Sequence, residues 1–141
     1  MREILFRGKR VDNGEWVYGS LLSCDIIIQT DKIFSNGIAN ADGSVDIKFG
    51  GWFGVSSETV GQYTGLTDKN GKNIFEGDII LSSISGFSYA VEWSERRARF
   101  TGNNERINCE FGFDSKDTRS LRNIEVIGNV HDNPELVKGS E

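Results

Sequence analysis

The chain has 141 residues, with 16 Lys and Arg against 21 Asp and Glu, and a formal net charge of −5. That length suits one ordinary domain or two very small ones, and a chain of this size buries roughly 68–70% of its unfolded surface, enough for a core without metal or disulfide staples. The mild, interspersed acidity argues against non-specific nucleic-acid binding, which rests on clustered Lys and Arg neutralising phosphates, and it is too mixed for a DNA mimic.

Glycine occurs 17 times and proline once. Many Gly with few Pro point to tight turns and bulges between short strands, because Gly reaches positive φ without steric cost. Cys24 and Cys109 lie far apart with no close-spaced ligand partner, so two small buried thiols are expected rather than a forced disulfide. Met1 to Arg10 carries no apolar segment of signal-peptide type. The longest aliphatic run, Ile26-Ile27-Ile28, is far too short for a membrane span. The expected location is the cytoplasm.

In chain order, residues 3–11 and 15–22 read as a β-hairpin with Ile4 and Phe6 on one face of the first run. Trp16 and Tyr18 share a face of the second, and Asp12-Asn13-Gly14 supplies the turn. Cys24 to Gln29 reads as a short buried strand and Ile33-Phe34-Ser35 as another. Turn signals follow at Asn36-Gly37 and Asp42-Gly43. Val45 to Phe49 alternates as a strand. Trp52 and Phe53, bracketed by glycines, fit a bulged strand, a loop or an exposed patch. The densest patterning runs from Thr59 to Leu81, where β-type runs 60–66 and 74–81 flank a turn holding Asp68, Asn70 and Gly71. Tyr89 to Trp93 and Ala98 to Thr101 read as partner strands joined by a turn or one helical turn over Ser94 to Arg97, and Gly102-Asn103-Asn104 as a break. Ile107 to Phe113 and Ile124 to Val130 read as two more strands. Asn133-Pro134-Glu135-Leu136 has the N-cap, Pro and first-turn acid of a short helix start. No stretch sustains a 3.6-residue period over three turns, so the fold class is all-β.

Several blocks resemble the YopX-like family of phage and prophage proteins. They are Phe6-Arg-Gly-Lys9, Gly14-Glu-Trp-Val-Tyr-Gly-Ser-Leu21, Thr59-Val-Gly-Gln-Tyr-Thr-Gly-Leu66, Asp68-Lys-Asn-Gly71, Ile74-Phe-Glu-Gly-Asp-Ile-Ile80, Glu125-Val-Ile-Gly-Asn129 and Asn133-Pro-Glu-Leu136. The resemblance implies a bacterial or phage cytoplasmic setting and a β-rich fold whose later part is an SH3-like barrel; it carries no catalytic residues. The expected division is an N-terminal β subdomain over 1–58, a connecting strand and turn over 59–73, the barrel over 74–131 and a tail with a short helix over 132–141.

Candidate chemistry is sparse. Asp68-Lys-Asn70-Gly71 starts like a calcium loop, but Lys72, Asn73 and Ile79 fall where ligands or Gly are required. A hairpin turn with Asp68 bonding backbone N–H groups accounts for it better. Glu76 and Asp78 are two apart, which on a strand places both carboxylates on one face; a solvated outer face with Gly77 marking a bulge accounts for them better than an acid–base pair. His131 is the sole histidine, with no nucleophile motif beside it. No metal or cofactor site is expected. Arg96, Arg97 and Arg99 form the main basic concentration, with Phe87, Tyr89, Trp93 and Phe100 nearby, a mixture that can bind single strands unless the aromatics are core. Trp52 and Phe53 are the best candidates for a protein interface, with a core role as the alternative.

The sequence therefore favours a non-enzymatic protein-interaction or assembly module, with self-association or a bacterial or phage protein as partner. A nucleic-acid-binding accessory protein using Arg96, Arg97 and Arg99 is the runner-up. A small enzyme using Glu76, Asp78 and His131 is third.

Overall fold

Alternation and turn chemistry set the first elements. β1 (Phe6–Lys9) and β2 (Trp16–Ser23) pair antiparallel, with Phe6 opposite Gly19 and Lys9 opposite Trp16. At the turn Gly14 takes φ 72°, Asn13 Oδ1 accepts the Glu15 N–H at 2.9 Å, and the Arg10 guanidinium clamps Asp12 at 2.9 and 2.6 Å. Ile4, expected to share a face with Phe6, lies outside the strand and is exposed. The computed structural model describes residues 4–28, 38–39, 45–46, 51–104, 109–112 and 122–138. The expected strand at Ile33–Ser35, the turns at 36–37 and 42–43, and residues 47–49 lie outside them.

The chain divides into two compact units, residues 3–62 and the residues from Tyr63 onward. In the first unit β3 (Ile26–Ile28) pairs with β2, and β6 (Trp52–Gly54) pairs with β3, all antiparallel. A two-residue ladder joins β4 (Ile38–Ala39) to β5 (Val45–Asp46). A 3-10 turn at Ser57–Thr59 leads into β7 (Gly61–Thr67), whose first two residues pair with β1. The chain after β6 returns to β1: Arg10 bridges Val55, Val11 N–H donates to Gly54 O at 3.1 Å, and Ser56 N–H donates to Lys9 O at 2.8 Å. The core inside holds Val17, Ile27 and Val55, with Phe6, Leu21, Phe53 and Val60 packed against it. Gly8 makes this closeness workable, because a Cβ there would stand 3.0 Å from Val55 Cβ and 3.2 Å from Ile27 Cδ1.

In the second unit β7 pairs with β8 (Asn73–Phe75) around Gly65, with a register shift between Tyr63 and Thr67. Residues 74–81, expected as one strand, are broken at Glu76-Gly77, where Gly77 takes φ 91°. The chain resumes as β9 (Asp78–Ser82) in a different sheet. That sheet has the order β12-β11-β10-β9-β13, built from β10 (Ser88–Ser94), β11 (Arg99–Asn104), β12 (Cys109–Gly112) and β13 (Ile124–Asn129). Gly102-Asn103-Asn104 does not break the chain as expected, since all three residues pair inside β11. Among the described residues no pairing joins β12 to β13, so the SH3-like barrel stays an expectation from the resemblance. The core is Ile74, Ile80, Tyr89, Val91, Phe100 and Ile124. Helix α1 (Glu135–Lys138) follows Pro134.

Asp68 ties this unit together. Its Oδ1 accepts the N–H groups of Asn70 and Lys72, each at 2.9 Å, and its Oδ2 accepts that of Val126 on β13 at 3.0 Å. Burial opposes its charge, but the three backbone donors and the Lys72 cation outweigh burial and hold the carboxyl below the ordinary Asp range. Gly71, φ 79°, closes the same turn in a conformation that disfavours a Cβ.

Gly8→Ala should cost about 1–3 kcal/mol, because Val55 and Ile27 are fully buried and have little room to give; a melt unchanged from the parent would contradict this packing. Asp68→Asn should cost roughly 1–3 kcal/mol near neutral pH. A depressed folded pKa contributes stability present above the unfolded value, about 3.9, and lost as pH falls through the folded one. The gap between parent and Asp68→Asn in denaturant titrations should therefore shrink below about pH 4. A gap that stays constant down to pH 2 would exclude the latch.

Candidate functional site

The β3–β6 ladder sorts its side chains by parity. Ile27 pairs with Phe53, and Ile28 pairs with Trp52. Neighbouring residues on a strand point to opposite faces, so the burial of Ile27 and the packing of Phe53 on the core send Ile28 and Trp52 outward. Trp52 is 67% exposed and Leu22, on β2, 66%. Leu22, Ile26, Ile28 and Trp52 line an outward groove of about 330 Å³. All four lining side chains are uncharged and apolar. An antiparallel sheet usually wets one face with polar residues; this face does so at Lys9, Tyr18 and Ser20, but not around the groove.

The two aromatics proposed together as an interface thus take different roles. Trp52 belongs to the groove, while Phe53 packs on the core and lies under the Arg10 guanidinium, 4.5 Å from the ring centroid. Leu22, Ile26 and Ile28 were not singled out from sequence, although the alternation of Ile26 and Ile28 about Ile27 is a readable signal. Cys24, expected as a buried thiol, is exposed and free.

Farther along β1 and β2, cations lie over aromatics. Arg7, buried, has its guanidinium 4.7 Å from the Trp16 ring centroid, and Lys9 Nζ lies 5.7 Å from it. Such contacts contribute about 0.5–2 kcal/mol depending on desolvation. The Phe6-Arg-Gly-Lys9 and Gly14-Glu-Trp16 blocks are therefore packing partners.

The basic residues sit on a hairpin. β10 and β11 are joined by the turn Glu95–Ala98, and Arg96, Arg97 and Arg99 are all exposed. Ala98 holds φ 51°, in the left-handed region. Of the nearby aromatics, Tyr89 and Phe100 are core, whereas Phe87 and Trp93 are each 45% exposed.

Glu76, Asp78 and His131 are brought to one end of β9 and β13. Asp78 pairs with Asn129, and Val130 N–H donates to Gly77 O at 2.8 Å. The two carboxylates do not share a solvated strand face as expected: Glu76 lies in the turn, and Asp78 is buried with Oδ2 accepting the Phe75 N–H at 2.7 Å. Asp78 thus holds the turn between sheets. His131 is exposed in the turn after β13, its N–H donating to Asn129 Oδ1 at 3.0 Å. Among the described residues no group of three His, Cys, Asp or Glu is placed to hold a metal ion, and no helix is long and apolar enough to cross a membrane.

Among solved structures, the crystal structure of protein EF1440 from Enterococcus faecalis is similar, with a TM-score of 0.66 and 23% identity over 97% of this chain and 99% of that one. That likeness speaks to the fold. No curated protein matches the chain. The family model of the YopX protein matches residues 5–138, which spans the cation–aromatic strands, the Asp68 latch and the C-terminal turn. The chain belongs to the YopX family.

Proposed function

We propose that this protein is a non-enzymatic assembly module that associates with a second copy of itself through the Trp52 face. The observation that carries the reading is the uncharged groove of Leu22, Ile26 and Ile28 beside an exposed indole on the same sheet face. A two-fold axis makes such a contact self-complementary, since each copy presents the same knob and the same groove. The chain carries a net charge of −5, which opposes close approach of two copies over most of their surface. A patch without charged side chains avoids that penalty.

The size of the patch sets the strength. Four side chains make an apolar area of a few hundred Å², the class of the largest patches on monomers. Stable complexes bury about 800 Å² per partner. The contact is accordingly reversible and dependent on concentration, not permanent. The setting we propose is the cytoplasm of a bacterial host, with the gene carried by a phage or prophage, as the family resemblance suggests.

Sedimentation velocity over a wide concentration range tests this directly. The weight-average mass should rise from 15.7 kDa toward twice that value, and Trp52→Ser should hold it at the monomer. The variant should melt within about 0.5 kcal/mol of the parent, as exposed substitutions do. A parent that stays monomeric at every concentration, or a variant that associates equally well, would overturn the proposal.

A further inference from the structure

We infer that the tip of the β10–β11 hairpin is a contact site for single-stranded nucleic acid, with Trp93 as a stacking surface and Arg96 and Arg97 as phosphate contacts. This site does not use the Trp52 face and stands apart from the proposed self-association.

The register defines its geometry. Trp93 pairs with Phe100, and Ser94 pairs with Arg99. Trp93 and Phe100 therefore share one face of the ribbon and Arg99 leaves from the other. The two rings meet edge to face, with centroids 5.0 Å apart and planes at 74°. That contact holds the indole in place while nearly half of it stays in solvent. A fixed, exposed ring costs little entropy when a base stacks on it, and every base offers a π-face.

The turn supplies the charge. Arg96 and Arg97 lie in it, both exposed, and the Arg97 N–H donates to Ser94 Oγ at 3.3 Å, which ties the turn back to the end of β10. Glu95 is the one acid within the turn, so Arg96 and Arg97 leave the turn positive on an acidic chain, while Glu92 and Arg99 leave from the face opposite Trp93. Ala98 sits at positive φ, a conformation that costs a non-glycine residue free energy and that recurs where a loop shape serves a binding site. A local positive tip on an acidic body suits a short flexible strand better than a rigid duplex, whose long line of phosphates would also meet the acidic surface.

The probe is a fluorescein-labelled dT or U oligomer, titrated in about 20 mM salt, where phosphate contacts are strongest. Two phosphate contacts on a single strand predict a log–log salt slope of about −1.4, hence roughly 25-fold weaker binding for a tenfold rise in salt. Trp93→Ala should weaken binding between about 5-fold and 150-fold, the range for one stacked base. Base stacking on Trp93 should also quench the parent's intrinsic tryptophan fluorescence; Trp93→Phe, which keeps a ring against Phe100, should retain binding but abolish that quench. The double variant Arg96→Glu, Arg97→Glu should bring binding to background, whereas Arg99→Glu, on the opposite face, should keep most of it. Thermal melts of each variant separate lost contact from lost folding.

No binding by the parent at that salt would overturn the inference. So would equal loss in Arg99→Glu and the double variant, or a quench that survives in Trp93→Phe. Tighter binding of duplex DNA, or of an acidic peptide, would likewise assign the tip to another ligand class.

Discussion

The burial of Ile27 is the constraint on which the candidate surface depends. Its side chain is fully enclosed among Val17, Val55 and their neighbours, and a strand has only two faces. Fixing Ile27 inward puts Ile26 and Ile28 outward, and the β3–β6 pairing carries the same parity to Phe53 inward and Trp52 outward. A one-residue slip would bury Trp52 and expose Ile27. Gly8 underlies the arrangement, since β1 lies against Val55 and Ile27 where a Cβ would crowd both. The exposed apolar face is thus the reverse side of a tightly specified core.

The second unit follows the same logic with a polar anchor added. Tyr89, Val91 and Phe100 pack inward, and Trp93 continues their face toward the hairpin tip, where it is half in solvent. Asp68 joins the β7–β8 turn to β13 through three backbone donors. Asp78 holds the step from β8 to β9. Both carboxylates satisfy backbone groups where the chain changes sheet or turns, which is the ordinary use of a buried acid.

The strands were legible from sequence where alternation and turn residues agreed, as at Asp12-Asn13-Gly14 and along Tyr89 to Trp93. Asp68 could be read as a turn acid because its spacing fails as a calcium loop, but its bond to Val126 spans 58 positions and has no local signature. Gly77 could be read as a bulge, but the change of sheet there could not, because Ile74 to Leu81 looks like one run until its two halves are seen to pair with different partners. Trp52 and Phe53 were found together and could not be separated, since which of two adjacent residues faces inward depends on the partner strand. Leu22 joins them only through pairing of β2 with β3. The Arg96–Arg99 cluster was visible as composition; the opposite facing of Arg99 and Trp93 required the register.

These features make the protein a pair of small β units, each built around its own core, with an apolar face on the first. The most direct measurement is a concentration series of ¹H–¹⁵N NMR spectra, following the indole N–H signals of the three tryptophans. Self-association through the Trp52 face predicts that the Trp52 signal moves progressively with concentration while those of Trp16 and Trp93 stay in place. Three stationary signals, or movement confined to Trp16 or Trp93, would contradict it.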